Sequence, residues 1–277
     1  MPARLKVIRP PSFSPVAIFS GLAELRNYAD LLYTLSVHRV KVRYKQSSLG
    51  LAWALLQPLA LMMIYTIIFS VLTKVPTSGT PYPVFVYCAL LPWTFFSTAI
   101  TNTASGLVSH SQLITKVYFP REVIPLTYVF AAVFDFLVAS VILVALMLYY
   151  RIALTPMALL ALPIMLIGVI FTTGLGLLFS SLQVRFRDVG LAMPLLLQLW
   201  TYATPVVYPL SSVPARFRPV YDLNPLVGVV EGFRRVIVTG TAPDMPSLIR
   251  ALVVSLLLLP IGYMAFKQRE ATMADII

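Results

Sequence analysis

Six runs of about 20 or more apolar residues, nearly free of charge, leave this chain very few architectures. They fall at roughly 50–73, 82–108, 123–150, 156–182, 189–208 and 247–266. Each is long enough to cross a bilayer as a helix, and uncharged backbone of that length needs lipid or a protein-filled membrane interior around it. Between Lys74 and Lys116 no charged residue occurs, and Pro76, Gly79, Pro81 and Pro83 break that stretch into a turn and a new span. Of the 277 residues 59% are hydrophobic and 11% charged, too little charge to cover a water-soluble globule. The fold class expected is an all-α integral membrane protein with six transmembrane helices in a single domain over 1–277.

The net charge of +11 sits mainly at the ends of the apolar runs. That is the pattern that orients membrane proteins rather than a nucleic-acid surface. Arg4, Lys6, Arg9, Arg26, Arg39, Lys41, Arg43, Lys45, Lys116, Arg121, Arg185, Arg187, Lys267 and Arg269 share one side. The other side has half as many: Lys74, Arg151, Arg216, Arg218, Arg234, Arg235 and Arg250. Both termini are therefore expected in the cytoplasm. Residues 1–48 lack the short apolar core of a signal peptide. Cys88 is the only cysteine, so no intrachain disulfide can form.

Two segments are neither spans nor ordinary loops. Residues 24–46 read as an amphipathic helix on the membrane surface. Leu25, Tyr28, Leu32 and Leu35 supply its apolar side, and Arg39, Lys41, Arg43 and Lys45 can meet lipid headgroups; a plain positive-inside anchor is the simpler reading. Residues 209–246 mix Pro209, Pro214, Pro219 and Pro225 with apolar pieces such as Leu226–Val230. They suggest re-entrant helices on the outer side, between spans five and six.

Three stretches carry a family resemblance. The first is Arg43-Tyr44-Lys45-Gln46-Ser47-Ser48-Leu49-Gly50, with Trp53 and then Gln57-Pro58. The second is Tyr118-Phe119-Pro120-Arg121-Glu122-Val123-Ile124-Pro125, and the third Arg185-Phe186-Arg187-Asp188-Val189. Asn224-Pro225 followed by Glu231, Phe233 and Arg234 is a fourth, weaker match. Together they resemble the permease family of bacterial polysaccharide ABC exporters, and lean to its O-antigen and teichoic-acid branch. The resemblance implies a homodimer with a channel between subunits, two copies of a separate ATPase subunit, and an undecaprenyl-diphosphate-linked glycan as substrate. No Gly-Lys pair occurs, so the chain has no P-loop and no cofactor of its own; ATP and Mg belong to the partner.

Within that frame, Tyr118, Phe119, Pro120, Arg121 and Glu122 form the candidate ATPase-coupling element. Pro120 suits the start of a short helix and Pro125 the start of the next, while Arg121 and Glu122 offer both charges to a partner. A stiff interfacial turn is the alternative. Arg185, Arg187 and Asp188 form a second candidate contact, or pair among themselves. Arg43, Lys45, Gln46, Gly50 and Trp53 form a candidate cytoplasmic gate whose cations attract the substrate diphosphate or ordinary anionic lipid. Trp93, Phe95, Phe96, Trp200, Tyr202 and Tyr208 are candidate glycan-stacking rings, or belt and core residues. Asp135, an acid near the middle of a span with no mid-membrane basic partner in view, pairs with a neighbouring helix, lines the channel, or relays protons. Glu231 and Arg234 read as a helix-surface pair.

His38, His110 and Cys88 show no metal-ligand spacing, and no catalytic constellation stands out; the chain reads as a transport subunit rather than an enzyme. Rival readings are a permease of the same superfamily exporting a drug or small lipid, a polyprenyl-lipid transferase, and a proton-coupled flippase resting on Asp135.

Overall fold

The computed structural model describes residues 26–45, 50, 52–73, 75–77 and 79–276. Gln46 of the candidate gate lies outside the described residues, as do Arg4, Lys6, Arg9, Leu25, Ser47–Leu49 and Lys74. The described residues are helical or looped, with no strand among them.

Helix α1 (Ala29–Lys45) precedes α2 (Ala52–Thr66), which continues as a π-helical turn over Ile67–Leu72. Next come α3 (Tyr82–Ser109), the six-residue α4 (Ser111–Lys116) and α5 (Val123–Tyr149). A 3-10 turn at Pro156–Leu160 leads into α6 (Ala161–Arg185), followed by α7 (Asp188–Tyr202). The loop beyond carries the short α8 (Arg218–Asp222) and then α9 (Pro225–Arg234), extended by a π-helical turn to Thr239. Helix α10 (Met245–Ile276) ends the described chain.

Among the described residues, five segments are long and apolar enough to cross a membrane: Ala52–Ser70, Tyr82–Ser109, Val123–Tyr149, Pro156–Arg185 and Met245–Glu270. The fifth expected span, 189–208, gives only the 15-residue α7. At 1.5 Å per residue this helix is about 22 Å long, against about 30 Å of hydrocarbon. It stops because Pro205 disfavours helical backbone just before it, and the chain turns over Ala203–Tyr208.

The uncharged stretch found in sequence becomes the central helix. In α3, 78% of the membrane-crossing window is buried, against 28% in α5 and 11% in the first span. Val84, Val86, Tyr87, Cys88, Ala89 and Leu91 are wholly enclosed by α2, α5, α6 and α9. A charge there would face neither water nor headgroups, which is the physical reason for its absence.

Where helix backbones touch, side chains are missing. A Cβ on Gly262 of α10 would lie 2.0 Å from the carbonyl oxygen of Gly174 in α6, and one on Gly174 would lie 2.8 Å from Leu259 Cα. Small residues let membrane helices approach this closely and gain dispersion contact along their length.

The bundle has two ends. One gathers the start of α3, the α5–α6 turn, the 204–241 loop and the start of α10, tied by Tyr82 Oη donating to the Val207 carbonyl at 2.7 Å. The other gathers α4, residues 117–122, the α6–α7 junction and the last turns of α10. There Tyr28 and, from α1, Leu31, Leu32 and Leu35 pack against a buried cluster that includes Leu107, Phe119, Tyr128 and Phe266. The apolar side expected to meet lipid therefore meets protein.

Candidate functional site

The 117–122 segment is clamped to the end of α10. Phe119 is buried in the same cluster as Ile114, Val123, Phe266 and Met273, while Tyr118 is 69% exposed. The Arg121 backbone N–H donates to Glu270 Oε1 at 3.0 Å, and its guanidinium donates to the Glu270 carbonyl. Glu122, 1% exposed, accepts from Lys267 Nζ at 2.7 Å, and Lys267 also reaches Glu270 Oε2 at 2.8 Å. Burial pushes the Glu122 carboxyl up from its usual range, and the Lys267 ammonium opposes that shift.

Two expectations change here. Arg121 and Glu122 do not stand out as charges for a partner; both are engaged within the chain. No separate helix starts at Pro120 either. The short helix is α4, which ends before it, and Pro120 shapes a turn in which its carbonyl accepts from Val123 N at 3.1 Å. Pro125 does sit in the first turn of α5. At the α6–α7 junction Arg185, Phe186, Arg187 and Asp188 are all exposed. Among the described residues none of these three charged groups forms an ion pair; the Arg185 guanidinium lies 5.5 Å from the Phe186 ring centroid.

The candidate gate is anchored on α5. Arg39 stacks over the Tyr128 ring at 4.2 Å. Further along, Arg43 Nη1 lies 2.5 Å from Asp135 Oδ2, and Tyr44 Oη donates to Asp135 Oδ1 at 2.5 Å. Burial, reinforced by the adjacent carboxylate, pushes the Tyr44 hydroxyl up, so it stays a donor. Asp135 therefore has the basic partner that the sequence did not reveal, supplied by the helix preceding the first span. Lys45 and Trp53 are exposed, and Gly50 has φ +52°, a left-handed conformation that glycine adopts without strain.

The candidate rings divide. Trp93, Phe95 and Phe96 are buried within the protomer, Phe96 with no exposure at all, so they line no channel between two copies. They form its aromatic core instead: Phe96 sits 5.8 Å from Phe171 and 5.1 Å from Trp200, and Phe95 packs on Phe136. Tyr202 is exposed; Tyr208 is partly exposed and shares a 2.7 Å hydrogen bond with Tyr221.

The most connected polar residues lie at the opposite end, and sequence reasoning under-read them. Asn224 caps α9. Its Oδ1 accepts from Leu226 N at 3.1 Å and Trp200 Nε1 at 3.2 Å, while Nδ2 donates to the Ala203 carbonyl and Thr204 Oγ1. The Asn-Pro pair at a helix start was the available signal. Arg234 is not a surface residue. At 4% exposure it bonds Glu231 at 2.8 Å, donates to the Pro205 and Val206 carbonyls, and lies 3.9 Å from the Phe85 ring centroid. It staples the turn after α7 onto α9, which is buried against α3, α6 and α10. Among the described residues no His, Cys, Asp and Glu group has the makings of a metal site.

Residues 30–238 match the model of the ABC-2 type transporter family. The chain is 34% identical over 213 residues to the O-antigen export system permease protein RfbA of Klebsiella pneumoniae, covering 76% of this chain and 82% of that one. It is 31% identical over 256 residues to the protein of the same name from Myxococcus xanthus, covering 92% and 98%. It is also 28% identical over 245 residues to the polysialic acid transport protein KpsM of Escherichia coli, covering 86% and 93%. A family match over three quarters of its length, on a bundle with several helices long and apolar enough to cross a membrane, places this chain in the ABC-2 type transporter family as a multi-pass membrane transport subunit.

Proposed function

We propose that the chain is the permease of an ATP-driven exporter that carries an undecaprenyl-diphosphate-linked, O-antigen-like polysaccharide across the bacterial inner membrane. The reading works as a homodimer with two copies of a separate ATPase, which binds ATP and Mg. The names of the relatives support the cargo class. The excess of Lys and Arg at the end bearing α1 and residues 117–122 supports a cytoplasmic position for that end. The buried α9 then serves as a re-entrant element shielded by protein, with the exposed α8 leading into it. Helix α7, short as it is, serves as the fifth of six spans. Its exposed stripe of Leu191, Leu195 and Leu199 is an apolar surface for a second copy.

One observation carries the coupling assignment. The 117–122 turn shows Tyr118 to solvent while Arg121 and Glu122 lock its base to α10. A partner that pushes on Tyr118 therefore moves a membrane-crossing helix. Lys45 and the partly exposed Arg43 stand at the same end as cations for the diphosphate.

Cysteine labelling and co-purification test this together. Cys88 is buried, so Tyr118→Cys and Ser211→Cys each create one accessible thiol. Impermeant maleimide should label Ser211→Cys in intact spheroplasts and Tyr118→Cys only in inverted vesicles. Tyr118→Asp should release the co-expressed ATPase subunit and stop glycan export while the permease stays in the membrane. Reversed labelling defeats the orientation, and unchanged ATPase retention with normal export defeats the coupling role.

A further inference from the structure

At the end of the bundle away from Tyr118, the turn before α3 and residues 209–241 frame a half-open cavity of about 490 Å³. Its wall carries three guanidinium groups, from Arg218, Arg234 and Arg235, against a single carboxylate, Glu231. Glu231 is already shared: Oε2 bonds Arg234 at 2.8 Å, and Oε1 lies 3.5 Å from Arg235 Nε. Arg234 is fixed by two backbone carbonyls and the Phe85 ring, and its Nε, in the buried part of the wall, has no hydrogen-bond partner. The positive charge is therefore built into the structure and exceeds what the chain neutralises. Arg235 and Arg218 remain partly or fully exposed at the cavity, and Thr80 and Ser211 add hydroxyl-bearing wall.

A cleft of this size with paired cations and hydroxyls suits one chemistry: an oxyanion carried on a polar, ring-sized body. A large apolar ligand is disfavoured, because burying these guanidinium groups against it would leave them without acceptors. We infer that this cavity binds an acidic sugar unit, carboxylate- or phosphate-bearing, of a glycan at the outer face. The outer placement rests on the orientation proposed above, but the binding chemistry does not. Arg218 and Arg235 clasp the anion, Arg234 supplies a fixed positive floor, and the hydroxyl-bearing wall meets the sugar hydroxyls. A phospholipid headgroup offers the same anion, so the test must separate the two sources.

The full-length chain in nanodiscs of phosphatidylcholine alone can be titrated with a hyaluronan hexasaccharide, an alternating uronate probe, and with neutral chitohexaose. The hexasaccharide should bind in a salt-sensitive way and chitohexaose should not. The R218Q/R235Q double variant should weaken binding by about tenfold or more, since each lost charge-assisted hydrogen bond contributes on that scale. Arg234 is left in place in that variant, so an unchanged melting temperature certifies the fold. Discs containing phosphatidylglycerol form the second arm, in which hexasaccharide affinity should persist. Equal binding of chitohexaose, equal affinity in the double variant, or no binding by the wild-type chain overturns the inference. Loss of binding in phosphatidylglycerol discs gives the cavity to the headgroup and overturns the glycan assignment. Both faces of a nanodisc are open, so a wrong orientation would appear in the thiol labelling and leave this assay unaffected.

Discussion

Arg43 and Asp135, 92 residues apart in the chain, meet at 2.5 Å between Nη1 and Oδ2. With Tyr44 on the other carboxylate oxygen, both acceptor atoms of Asp135 are occupied by α1. The helix preceding the first span is therefore held to α5 by Asp135, a charge placed within α5 itself, rather than by lipid alone.

Removing that charge should loosen α1 without unfolding the bundle. The Arg43 side chain is 42% exposed, so the pair is screened and contributes about 1 kcal/mol rather than the larger figure for a dry site. Asp135→Asn should raise amide exchange through residues 36–45 while leaving α3 protected. A charge swap, Arg43→Asp with Asp135→Arg, should restore most of the protection. Unchanged exchange in the single variant would remove the latch. Continued export by Asp135→Asn would also dispose of the proton-coupled flippase.

The Glu122–Lys267 pair should behave differently, because Glu122 is enclosed. Lys267→Met leaves a buried carboxyl without its cation and should cost about 3–5 kcal/mol. The double variant Glu122→Gln, Lys267→Met should recover a large part of that loss. Thermal unfolding in detergent reads both, and a Lys267→Met chain as stable as wild type would refute the clamp.

Contact between α6 and α10 leaves no room for a methyl group. Gly262→Ala forces a Cβ onto the Gly174 carbonyl, so the helices must separate along their crossing. Overpacking of this kind costs about 1–3 kcal/mol, and a backbone obstacle sits at the upper end of that range. A melting temperature within error of wild type would show that the helices part freely.

Asn224 should report on the loop end. Asn224→Ala removes the cap of α9 and the acceptor for Trp200 Nε1 together, at about 1–2 kcal/mol for the cap. Trp200 is one of three tryptophans, and its emission should shift on losing that partner. An unchanged spectrum and melting curve would assign the cap no weight.

The membrane-crossing segments were legible in the sequence because each is a local property of about 20 residues. The expected spans at 82–108 and 123–150 match α3 and α5 closely. What pairs with what was not legible. Lys267 lies 145 residues from Glu122 and Glu270 lies 149 from Arg121, and composition carries no trace of such partnerships. The choice between glycan-stacking and core rings at Trp93, Phe95 and Phe96 was not legible for a related reason: a ring that can stack on sugar packs equally well in a core. One sequence signal does bear on the choice. The lack of charge from Val75 to Thr115 includes the nearly continuous buried run 82–100, whose rings belong inside. Residues 189–208 read as one span in sequence because hydropathy averages over the break at Pro205.

The glycine contact between α6 and α10 has a consequence for how force travels. The two backbones meet at this crossing with no side chain between them, so the helices move most readily as a pair. On the proposed coupling, a tilt of α10 at its Glu270 end would carry α6 with it, and a stroke delivered at one small turn would swing two long helices together.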